Sequence, residues 1–151
     1  MIEKLLPQTI DNTYRGYKAA LWLFGVVVFI KTLQMLLVIF NGYSTFIEAD
    51  GVPLNTYPPD AIQSVLAVLA LMGLSRLIMY LLFVLALARY RSLITFMFVL
   101  LVVEFVGREL ILYFIPIVRT GTPISPIMNS VLFALTIIGL ALSLPRRDVG
   151  T

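Results

Sequence analysis

The chain has 151 residues, 60% of them apolar and only 13% charged, where soluble domains run near 45–50% and about a quarter. A mean hydropathy of +1.00 agrees, so the composition excludes a water-soluble domain and predicts an all-α integral membrane protein. The absence of Cys and His removes disulfides, thiolate chemistry and the commonest general base, and a net charge of +3 is too small and scattered for a nucleic-acid surface.

A hydrocarbon core about 30 Å thick needs roughly 20 apolar residues in helical form. Four stretches meet or approach that length, at about 19–40, 61–88, 93–115 and 127–144, which predicts a four-transmembrane-helix bundle filling residues 1–151 as one domain. They are continuous apolar runs without the alternation of a barrel strand. Met1 to Leu6, closed by Pro7, reads as a segment that either rests on the membrane surface or frays, and Asp11 or Asn12 as the N-cap of the first helix. That first apolar stretch is too long for a signal-peptide core and ends in Phe40-Asn41-Gly42 without a small-x-small site, so a retained anchor is expected.

Between the first two spans, Asp50-Gly51 flanked by Thr45–Ala49 and Val52–Asn55 predicts a small hairpin-like outer loop, since a type I′ turn favours this pair. The loop is either a compact connector or a contact site whose apolar surface is Phe46, Ile47 and Leu54. Pro58-Pro59 and Asp60 are expected to lead into and cap the second span. Pro116 stops the third span and Pro145 the fourth, and the tail holding Arg146 and Arg147 is expected to be disordered near anionic headgroups.

Charge in the short flanks orients the chain. Lys4, Arg15, Lys18, Arg89, Arg91, Arg146 and Arg147 fall on one side and Arg119 alone on the other, which predicts both termini in the cytoplasm and an inner (plasma) membrane location. Tyr and Trp near the predicted span ends, such as Tyr14, Tyr17, Trp22 and Tyr113, suit that placement.

Five charged residues fall inside predicted spans: Lys31, Arg76, Glu104, Arg108 and Glu109. Each costs roughly 2.5–3.5 kcal/mol to insert on the mildest scale. Counted from the cytoplasmic end of each span at 1.5 Å per residue, Lys31, Arg76 and Glu104 share one level about 16–18 Å deep. One acid therefore lies between two bases on three helices. Arg108 follows Glu104 at i,i+4 in the favourable order, while Glu109 points about 140° away. Gly73 and Gly107 flank the charges and are expected to let backbones approach, with Ser64, Ala67 and Ala70 extending a small-residue stripe toward Gly73. The fourth span, which carries no charge, is expected to cover the charged level.

These charges read either as an internal network fixing helix register or as the lining of a polar cavity in which Glu104 or Glu109 binds a proton or cation and Arg76 an anion. Pairing with an acid on a partner's membrane helix is a third use, because the five sum to +1. No nucleotide-binding glycine motif, hydrolase elbow or metal-site spacing is present, so no cofactor, metal or catalytic activity is expected. The expected function is an accessory or assembly component of the membrane, alone, as a homo-oligomer or in a larger complex. The alternative is a small transporter or channel-like protein using the mid-depth charges.

Overall fold

The computed structural model describes residues 10–144, and the expectations for the N-terminal segment, Lys4 and the Arg146-Arg147 tail lie outside them. Among the described residues the fold is helical and contains no strand. Four long helices dominate: α1 (Lys18–Phe40), α2 (Pro59–Arg89), α3 (Ile94–Phe114) and α4 (Ile124–Ser143). α1, α2 and α4 are long and apolar enough to cross a membrane. The 21-residue α3 is interrupted by Glu104, Arg108 and Glu109.

Each boundary has a local cause. α1 starts behind Tyr17, whose amide donates to the Leu142 carbonyl at 3.0 Å. Asp11 does not cap it. Its carboxylate instead takes the amide and hydroxyl of Thr13 at 3.0 and 2.8 Å, bonds that hold it below its ordinary pKa. An Asp two residues before a Thr closes such a local turn more readily than it reaches a helix beginning at Lys18. α2 opens with Pro59 at its first position, where the missing N–H is not needed. Asp60 sits inside the first turn without a capping bond, where its charge still complements the helix dipole. α4 begins at Ile124, ahead of the predicted start, because Pro126 is tolerated in a first turn.

The predicted hairpin does not form. After Phe40 the chain makes a short helical turn (Gly42–Ser44), a π turn (Thr45–Ala49) and a 3-10 turn (Leu54–Thr56). A type I′ turn needs positive φ at both central residues. Asp50 lies at φ −94° and only Gly51 is positive, at +71°. The Thr45 amide and hydroxyl both donate to the Asn41 carbonyl, at 3.0 and 2.7 Å, and this carries helical winding beyond α1. Gly51 then ends the turn as a C-terminal glycine does, with the Val52 amide returning to the Phe46 carbonyl at 2.9 Å. Leu54 is fully buried and fills the loop's own small core, so it is unavailable as a contact residue, while Phe46 and Ile47 are half-buried.

α1 packs mainly on α2 and α4, and α3 packs mainly on α4; the α2–α3 seam is the sparser one. The apolar core lies in the half of the bundle nearer the start of α1. There Phe24 meets Phe98 edge-on at 5.1 Å and Phe83 at 5.9 Å, among Ala20, Val27, Ala86, Ile94, Leu101 and Leu132. Gly139 permits this arrangement, because a Cβ there would overlap the Phe98 ring. Polar links fasten both ends. The Ser92 hydroxyl donates to the Asp11 carbonyl at 2.9 Å and the Thr95 hydroxyl to the Ser143 carbonyl at 3.0 Å. At the other end the Thr120 amide donates to the Gly51 carbonyl at 2.7 Å. Arg15, Lys18, Arg89 and Arg91 therefore share one end, and Glu48, Asp50 and Asp60 share the other with Arg119.

Candidate functional site: a charge cluster between helices

Lys31 on α1, Arg76 on α2 and Glu104 on α3 converge above the aromatic core. Glu104 Oε2 lies 3.8 Å from Lys31 Nζ, and Glu104 Oε1 lies 3.8 Å from Arg76 Nε. The Tyr80 hydroxyl donates to both carboxylate oxygens, at 3.1 and 3.3 Å. One carboxylate thus gathers two cations and a hydroxyl from two other helices. The three residues expected to lie at one level on their helices are within ion-pair distance of one carboxylate.

Burial is uneven across the cluster. Tyr80 is fully enclosed, the Lys31 and Glu104 side chains are 11% and 16% exposed, and Arg76 keeps 32% of its side chain exposed. Arg76 approaches Glu104 through Nε, and its two Nη groups have no hydrogen-bond partner among the described residues. The three charges sum to +1.

Arg108 does not join the cluster. Its Nη2 lies 2.7 Å from Glu109 Oε1, and its guanidinium rests 5.2 Å above the Phe105 ring, which stacks on Phe133 of α4 at 4.1 Å. The i,i+4 pairing with Glu104 loses to this arrangement for two reasons. Glu104 is already supplied with donors, and the aromatic face offers the guanidinium a second attraction. Glu109, 50% exposed, is thereby partnered by its own neighbour.

Of the two glycines expected to bring backbones together, one does so. A Cβ on Gly73 would sit 3.0 Å from Ile39 of α1, whereas a Cβ on Gly107 would meet no neighbouring element within 4 Å among the described residues. The stripe leading to Gly73 is not an interface, since Ser64 and Ala67 are exposed. α4 contributes Phe133 beside the charges and buries Asn129, whose Nδ2 donates to Ser125 Oγ at 3.3 Å.

Tyr80 is the participant that sequence reasoning missed. A signal for it exists: it follows Arg76 by four residues and is the only Tyr far from every predicted span end. Among the described residues no group of three or more acids forms a metal site. No family model, curated protein or solved structure matches the chain.

Proposed function

We propose that the protein is a multi-pass component of the plasma (inner) membrane, without catalytic activity of its own, that serves in the assembly or support of a membrane complex. α3 crosses the bilayer with α1, α2 and α4, and both termini face the cytoplasm. The supporting observation is the largely covered Glu104 carboxylate held by Lys31, Arg76 and Tyr80. An ion in hydrocarbon is tolerated when partners satisfy it, and α3, with three charged residues in its interior, needs such partners to lie beside helices whose interiors carry one or none. Enclosure of Tyr80 and near-enclosure of Lys31 favour a fastening role over a solute path, because a transported ion needs water at the carboxylate.

The charge swap tests this reading. Glu104→Lys is expected to abolish a monodisperse species in mild detergent, and adding Arg76→Glu to restore part of it. No damage, or damage without rescue, refutes the fastening role. Orientation is read by labelling single cysteines at the exposed positions Asn55 and Arg91 in intact cells. Asn55→Cys is expected to react from outside and Arg91→Cys only after permeabilisation.

A further inference from the structure

We infer that the free guanidinium fork of Arg76 is a docking point for a carboxylate carried at mid-depth by the transmembrane helix of a different protein. The inference rests on the membrane placement and the fastening role proposed above, and it names the kind of partner involved.

Three observations lead to it. The cluster holds one cation more than its carboxylate balances, and the surplus is carried by its most exposed member, Arg76. Glu104 comes nearest to Arg76 at Nε, 3.8 Å away, and neither Nη group has a hydrogen-bond partner among the described residues. These groups present parallel N–H donors, the geometry that matches a carboxylate in bidentate fashion. The flank is also open. At 100° per residue Gly107 lies about 60° from Glu104, on the side away from Phe105 and thus on the flank turned from α4. Among the described residues, no heavy atom outside its own stretch of helix stands within 4 Å of where its Cβ would be. Met72 on α2, one turn from Arg76, and Val103 on α3, beside Glu104 in sequence, are half or more exposed, and the α2–α3 packing is sparse.

The occupant follows from the surroundings. Arg76 is partly exposed at mid-helix among exposed apolar side chains such as Met72 and Leu74, so a ligand must be apolar apart from its acid. A membrane helix with a central Asp or Glu has that character. The open space at Gly107 admits a backbone closely, as small residues do in membrane interfaces. A parallel second copy of this chain does not fit. Rotation about the membrane normal keeps every residue at its own depth, and Glu104 is already held by Lys31, Arg76 and Tyr80 of its own chain. Glu109 lies about 7.5 Å further along α3 at 1.5 Å per residue and already pairs with Arg108. The cations gathered at one end make every copy insert the same way.

The test uses the full chain in phosphatidylcholine vesicles with labelled single-span polyleucine peptides, read by energy transfer. A peptide with central Glu is expected to associate on the order of tenfold more tightly than one with central Gln, near the upper range for polar contacts between membrane helices. Moving the Glu one turn toward either end is expected to remove the difference. Arg76→Gln is expected to bind both peptides equally, and Arg76→Lys to keep part of the preference. Equal binding of the Glu and Gln peptides to the unaltered chain overturns the inference, whether or not the variants fold. Displacement of the Glu peptide by millimolar acetate also counts against it, since the site would then take a free anion. If the charge swap rescues assembly while the Glu peptide gains nothing, the fastening role stands and only the docking point fails.

Discussion

Glu104→Gln and Lys31→Met change the same ion pair by one charge each, yet the geometry predicts very different costs. Glutamine keeps an oxygen to accept from the Tyr80 hydroxyl, so that bond is retained. What is lost is the countercharge of Lys31, whose side chain is 11% exposed, and of Arg76, which is about one-third exposed. Stranding one partner of a buried pair costs roughly 3–5 kcal/mol. Arg76 is discounted because its exposed fork remains free to move. Lys31 alone then places Glu104→Gln near 3 kcal/mol. Lys31→Met leaves Glu104 with Arg76 and Tyr80, a neutral set, and removes an ammonium that costs about 2.5–3.5 kcal/mol to insert. Its expected cost is below about 1 kcal/mol. Reversible unfolding in mixed micelles, followed by loss of helical circular dichroism, measures both. Equal destabilisation by the two, or a cost under about 1 kcal/mol for Glu104→Gln, refutes the claim that this carboxylate is the hub.

Gly139→Ala is expected to lower stability by about 1–3 kcal/mol because the new methyl meets the Phe98 ring in a filled core; Gly107→Ala, facing open space, is expected to be neutral or to gain up to about 1 kcal/mol from helix propensity. The same unfolding assay separates them. Leu54→Ala empties the fully buried centre of the 41–58 loop at a cost of roughly 2–5 kcal/mol, seen as faster proteolysis within that loop, whereas half-buried Ile47→Ala changes it less. Burial without a hydrogen-bond partner raises the Tyr14 pKa to about 12. Its neutral form is therefore favoured in the fold, and stability is full below pH 10 and falls between pH 10 and about 12 as the unfolded chain loses the proton first. Thermal unfolding across that range is expected to show a shallower decline in Tyr14→Phe.

The long helices and the meeting of Lys31, Arg76 and Glu104 were legible because both follow from regular geometry. Apolar runs of bilayer length give the helices, and a fixed rise per residue turns sequence distance into depth. What escaped depended on competition among side chains. Arg108 had two acids within reach, and the choice was made by Phe105 and by the donors already on Glu104. Tyr80 was overlooked because tyrosine is ordinarily a residue of the membrane boundary. The Asp50-Gly51 pair suits two different turns, and the outcome was set upstream, where Thr45 binds back to Asn41. Helix-wheel spacing placed Gly107 correctly beside Glu104, but spacing does not reveal whether a neighbour fills the room opposite.

The clasps at the two ends of the bundle share a chemical trait. Every acceptor named in them, at Asp11, Gly51, Leu142 and Ser143, is a main-chain carbonyl. Exchanging the side chains at Asp11, Leu142 and Ser143 leaves such oxygens in place, whereas Gly51, at φ +71° with the Thr120 carbonyl 2.7 Å from where a Cβ would sit, has no room for alanine. Alanine at Ser92 or Thr95 deletes a hydroxyl donor, but the amide donors are lost only to proline, as in Tyr17→Pro or Thr120→Pro. The rims thus depend on Gly51 and the donor residues more than on the side chains of the other three acceptors.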